Sequence, residues 1–106
     1  MAERFYLKRG DTSPAIVFTM VPPTDLTGAT VVFTMATRAG VIVIDRATAS
    51  IVGDPAAGVV SYAWQAADTG VAGIYDAEFE VTYADNTVET FPNLGHLLIN
   101  IAADLG

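Results

Sequence analysis

The chain has 106 residues, which is enough for one β-sandwich core, and its composition is 52% hydrophobic and 16% charged. This mixture excludes an intrinsically disordered chain, which needs low hydrophobicity and high charge. The formal net charge of −7, with only five lysines and arginines, argues against nucleic acid or an anionic membrane surface as a partner. The absence of cysteine excludes disulfides, thiolate catalysis and cysteine–zinc sites.

The chain's organisation predicts a single domain over residues 1–106. It contains no repeat, low-complexity segment or linker, and no apolar run is long enough for a signal peptide or a membrane span. We therefore expect a soluble protein that is made in the cytoplasm without a cleaved export signal.

Strands in the first half of the chain are predicted by short β-branched or alternating segments between turn residues. These segments are 4–8, 15–21, 29–37, 41–44 and 47–52. The polar pair Asp45-Arg46 is predicted to interrupt the strand structure between the last two segments. The second of these segments is expected at a sheet edge.

The second half of the chain contains the strongest alternation. Its predicted strands are 58–64, 74–83, 88–91 and 97–102, with a single helical turn at 65–69. Tyr75, Ala77 and Phe79 share the predicted core face of one strand, as Val60, Tyr62 and Trp64 do on another. The pattern predicts an all-β protein with about seven to nine short strands.

The link between the segments 58–64 and 74–83 resembles the corner at which the chain crosses between the sheets of an immunoglobulin-like sandwich. Such corners place a tyrosine near the start of a long strand, and its hydroxyl bonds to backbone a few residues upstream. We predict that Asp68, Gly73 and Tyr75 form this structural corner, with the Asp68 carboxylate capping the turn. The alternative is an ordinary buried tyrosine without the corner bond.

Several segments in a fixed order resemble the immunoglobulin-like domains of tailed-phage virion proteins, of which the N-terminal domain of phage baseplate upper proteins is the best-known example. The resemblance is carried by RFYLKRGDTSPAIVFTM, DLTGATVVFTM, GVVSYAW, the Asp68-Thr69 pair, AGIYDAEFEVTYAD and ETFPNLGHLLINI. It covers nearly the whole chain and implies an immunoglobulin-like antiparallel β-sandwich. It also implies a non-catalytic structural role in a tail, a baseplate or a capsid-surface attachment, and it brings no cofactor and no catalytic residue.

The resemblance further implies a virion location after synthesis in the host bacterial cytoplasm. In baseplate proteins such a domain anchors a longer chain, so a copy of this length is expected to be an adaptor, accessory or decoration subunit. Its expected partners are other virion proteins, bound in multiple copies per particle, with neither nucleic acid nor membrane among them.

Three loops are the predicted partner contacts because turn residues place them outside the sheets. The candidate residues are Gly10, Asp11, Thr12 and Pro14 in the first loop, Pro22, Pro23, Asp25 and Leu26 in the second, and Pro92, Asn93, Leu94 and His96 in the third. Leu26 is also predicted to tuck under the sheet edge.

Other functions are weighed from three features of the sequence. A carbohydrate- or host-surface-binding module would expose the aromatic residues Trp64, Tyr62 and Tyr83, which the alternation instead places in the core. The acidic stripe Asp76, Glu78 and Glu80 is compatible with a solvated face, a docking stripe or a calcium site, although carboxylates along one strand point in parallel. An enzyme would need a partner for His96, the only histidine, and no nucleophile motif is present.

Overall fold

The computed structural model describes residues 4–20 and 24–103, and these residues form a sandwich of two β-sheets. Within the described residues there are nine strands and two short 3₁₀ turns, at Pro55–Ala57 and Ala66–Thr69. The strands are β1 (Arg4–Lys8), β2 (Ile16–Thr19), β3 (Thr30–Thr37), β4 (Ile42–Thr48), β5 (Ser50–Ile51), β6 (Val59–Tyr62), β7 (Gly73–Thr82), β8 (Val88–Phe91) and β9 (Leu97–Ala102). The predicted all-β, immunoglobulin-like sandwich is confirmed.

The larger sheet has the strand order β1-β9-β7-β3-β4, and β8 also pairs with β7. The smaller sheet has the order β2-β6-β5. Every pairing is antiparallel except that of β1 with β9, which is parallel and brings the first and last strands of the chain together.

The core lies between the sheets and follows the alternation read from the sequence. Its largest fully buried side chains include Phe33, Phe79 and Phe91. The ring of Phe33 stacks on Tyr62 with centroids 4.7 Å apart and meets Trp64 edge-on at 5.7 Å. Burial of these rings supplies much of the hydrophobic stabilisation of so small a domain.

The predicted break at Asp45-Arg46 is wrong, because both residues belong to β4. Met35 pairs with Ile44 and Phe33 pairs with Ala47. Asp45 and Arg46 therefore lie opposite the single residue between Met35 and Phe33 and form a β-bulge in the ladder. The chain then changes sheets after Thr48, so the predicted strand 47–52 is divided between β4 and β5. A polar pair in the sequence does not distinguish a bulge from a loop, because both place the polar side chains in water.

Candidate docking surface

The link before β7 is held by hydrogen bonds from the hydroxyls of two buried tyrosines, Tyr75 and Tyr62. The Tyr75 hydroxyl donates a 2.6 Å hydrogen bond to the Val71 carbonyl, four residues upstream. An added Cβ on Gly73 would lie 3.6 Å from the Tyr75 ring, so the ring packs directly over this backbone. This arrangement has the geometry expected of a sheet-crossing corner.

Asp68 joins the same link to the core. Its Oδ2 accepts a 2.8 Å hydrogen bond from the Gln65 backbone N–H, which caps the 3₁₀ turn, and a 2.7 Å bond from the Tyr62 hydroxyl. Burial of the Tyr62 ring and this bond raise the pKa of the tyrosine above its usual value. The bond to Tyr62 was not anticipated from the sequence.

The first predicted contact loop is exposed but tied to this link. Gly10, Asp11, Thr12 and Pro14 are all exposed. The Gly10 N–H donates to the Thr69 carbonyl at 2.9 Å, and the Thr69 hydroxyl donates to the Asp11 carbonyl at 2.8 Å. The buried Thr69 thus holds the loop in one conformation while the loop's outer side chains face solvent.

The second predicted loop presents only part of what the sequence suggested. Pro22 and Pro23 lie outside the described residues. Asp25 is exposed and accepts two hydrogen bonds from Thr27, which hold the pKa of this carboxyl below its usual range. Leu26 is fully buried and its N–H donates to the Pro55 carbonyl at 2.9 Å, so its predicted role as a contact residue is wrong. Its predicted position beneath the sheet edge fits this burial.

The third predicted loop carries the most exposed of the large hydrophobic side chains that the structure describes. Leu94 is 92% exposed. Asn93 is fixed by hydrogen bonds to the Glu89 carboxylate and the Thr90 carbonyl, each 3.0 Å long, and Pro92 is half-buried. His96 is exposed, with Nε2 4.0 Å from the Glu78 carboxylate. The loop therefore offers an apolar tip on a fixed base.

The three loops do not form one continuous surface. The first loop contacts Thr69, just before β7 begins, whereas the second leads into Thr30, which pairs with Thr82 at the far end of β7. The third loop connects β8 with β9, which pair with successive halves of β7. Any partner that touches all three must therefore extend along the sandwich.

The acidic stripe on β7 is paired within the molecule. Asp76 lies 3.4 Å from Arg38, and Glu80 lies 2.6 Å from Arg46. No group of three or more residues able to hold a metal ion occurs in the part of the chain that the structure describes. The arrangement is that of a solvated sheet face crossed by ion pairs.

The geometry disfavours the carbohydrate alternative. Tyr62 and Trp64 are buried, and the half-buried Tyr83 donates its hydroxyl to Glu89 at 2.7 Å, so they form no exposed aromatic row. His96 borders a shallow depression of about 120 Å³ that also includes Asp76 and Glu78 but no serine.

Comparison with known proteins identifies the family. A family model described as the BppU N-terminal domain matches residues 11–94. The chain belongs to this family. BppU is the baseplate upper protein of a phage, so the family is one of phage baseplate structural domains. No curated protein matches the sequence.

The chain also resembles a solved structure. The crystal structure of CopC from Methylosinus trichosporium OB3b superposes with a TM-score of 0.59 over 100% of this chain and 89% of that chain, at 9% identity. At this identity the likeness shows a shared β fold alone. Among the described residues, no helix is long and apolar enough to cross a membrane.

Proposed function

We propose that this chain is a non-catalytic docking subunit of a phage tail or baseplate, present in several copies and held between other virion proteins. The family match over residues 11–94 carries the proposal. It is supported by exposed loops on rigid bases, because fixed loops bind a partner without a large ordering cost.

Residues 1–106 act as one domain that binds other virion proteins through its surface. The exposed contact residues are Gly10, Asp11, Thr12, Pro14, Asp25, Asn93, Leu94 and His96. Leu94 is the apolar anchor of this set, since a protruding apolar side chain gains most from burial in a partner's pocket.

Mass spectrometry of purified particles, after separation of tails from heads, tests this function. We expect the protein in intact particles and in the tail fraction. Recovery of the protein with the heads alone would show that it is a capsid-surface decoration protein and not a tail adaptor. Absence from intact particles would overturn the structural role.

A further inference from the structure

We propose that the open edge of β1 is a docking site for an extended, acidic strand of a neighbouring virion protein. This inference rests on the proposed docking function and names the surface and the chemistry of the partner. The site consists of β1 and the groove between it and the loop 11–14, called here the β1 groove.

Among the residues that the structure describes, β1 has a neighbouring strand on one side only, where it pairs with β9. The Arg9 N–H donates to the Ala102 carbonyl at 2.7 Å, which fixes the phase of the parallel ladder with β9. In a parallel ladder alternate residues direct both backbone groups to the same neighbour. The backbone N–H and C=O groups of the odd-numbered residues of β1 therefore point towards β9. The N–H and C=O of Tyr6 and the N–H of Lys8 point the other way, towards the open edge. Such groups are satisfied by an added strand.

The β1 groove has room for the side chains of such a strand. Its volume is about 360 Å³, and its walls include Tyr6, Leu7, Ser13 and Pro14. A smaller depression of about 50 Å³ lies next to it, between Phe5, Pro14 and the buried Trp64. Small apolar side chains of an added strand would cover the apolar parts of these two spaces, which are now open to water.

The charge of β1 selects the partner. Arg4 and Lys8 flank Tyr6 on the outer face of the strand, and all three side chains are exposed. Within the described residues neither cation forms an ion pair, in contrast to Arg38 and Arg46. A strand with acidic residues at the two positions beside Arg4 and Lys8 gains two cross-strand pairs.

A second copy of this chain fits the edge poorly. Antiparallel pairing of two β1 strands about Tyr6 would place Arg4 of each opposite Lys8 of the other, and like charges opposite each other are destabilising. The other edge of the larger sheet, β4, is interrupted by the bulge at Arg46. The open edge of β2 borders the smaller depression but carries no charged residue to select a partner.

Binding of two synthetic peptides to the ¹⁵N-labelled full chain, followed by NMR at low salt, tests the proposal. In both peptides the side chains alternate between the outer face of the sheet and the groove, and valine occupies every position that points to the groove. At the first and third positions on the outer face, one peptide has glutamate and the other has lysine. We expect saturable shifts of the Tyr6 and Lys8 amides, with the glutamate peptide binding roughly tenfold more tightly than the lysine peptide.

The charge-reversed variant Arg4→Glu/Lys8→Glu should bind the lysine peptide more tightly than the glutamate peptide, while its core amides keep their positions. Equal binding of both peptides by the unmodified chain, shifts centred on β2 or β4, or no saturable shift at millimolar peptide would each overturn the proposal.

Particle analysis separates this inference from the function on which it rests. Presence of the protein in tails together with no peptide binding removes the β1 site and leaves the docking function intact. Peptide binding together with absence from particles keeps the edge site and removes the virion role.

Discussion

The hydroxyl of Tyr62 and the carboxylate of Asp68 are joined by a 2.7 Å hydrogen bond between the aromatic core and the turn before β7. We expect Tyr62→Phe and Asp68→Ala each to lower the free energy of unfolding by about 1–3 kcal/mol, because each leaves the other group without its partner. The double variant should show a coupling of about 1–2 kcal/mol in urea unfolding.

Asp68→Ala also removes the hydrogen bond from the Gln65 N–H to the Asp68 carboxylate. This loss occurs in the single variant and in the double variant alike, so it cancels from the coupling energy. Strictly additive single effects would show that the two groups do not stabilise one another.

Stability should fall at alkaline pH because two tyrosines have raised pKa values. Burial and the bond to Asp68 raise the pKa of Tyr62, and burial and the bond to Glu89 raise the pKa of Tyr83 to about 12. The unfolded chain releases these protons near the ordinary tyrosine pKa of about 10, while the folded chain still holds them. The stabilisation is therefore complete below about pH 10 and is lost as the pH rises towards the folded values.

Urea unfolding from about pH 8 to about pH 11 checks this, and Tyr62→Phe should show a shallower decline than the unmodified chain. Tyr6→Phe is the matched control, since the Tyr6 side chain is 67% exposed. A decline of equal slope in Tyr62→Phe would contradict the assignment to Tyr62.

The corner bond of Tyr75 is tested by removing its hydroxyl alone. Tyr75→Phe leaves the Val71 carbonyl without this donor and should lower the free energy of unfolding by about 1–3 kcal/mol. Tyr6→Phe changes the same chemical group at a side chain that is 67% exposed and should have little effect. Thermal unfolding compares them, and equal midpoints would mean that the corner bond contributes nothing.

Leu26 and Leu94 separate a buried loop residue from an exposed one. Leu26→Ala opens a cavity in the core and should cost about 2–5 kcal/mol of stability. Leu94→Ala should leave stability within about 0.5 kcal/mol, because the side chain is 92% exposed, while weakening incorporation into particles. Unfolding curves and quantitative particle analysis measure the two effects, and full incorporation of Leu94→Ala would remove it as an anchor.

Alternation along β7 was sufficient to predict its core face, because side chains on a strand alternate strictly between the sheet's two sides. The pairing of strands was harder to predict from the sequence. The parallel contact between β1 and β9 joins residues from opposite ends of the chain, and no local sequence pattern encodes it. Leu26 shows the same limit for the candidate contacts. A leucine among turn residues has the same sequence signature whether it points outward or under the sheet.

The bulge in β4 stores backbone strain that one substitution should release. Arg46 has a φ of 50°, in the region that costs a non-glycine residue about 1 kcal/mol or more, and it pairs with Glu80 at 2.6 Å. Arg46→Gly and Arg46→Ala both lose the ion pair, but only glycine adopts this φ without a steric penalty. We therefore expect the glycine variant to be more stable than the alanine variant by about 0.5–1 kcal/mol in urea unfolding, after allowing for the greater entropy of glycine in the unfolded chain. At an ordinary strand position glycine would be the less stable of the two, so the sign of the difference decides whether the bulge holds residue 46 in the left-handed region.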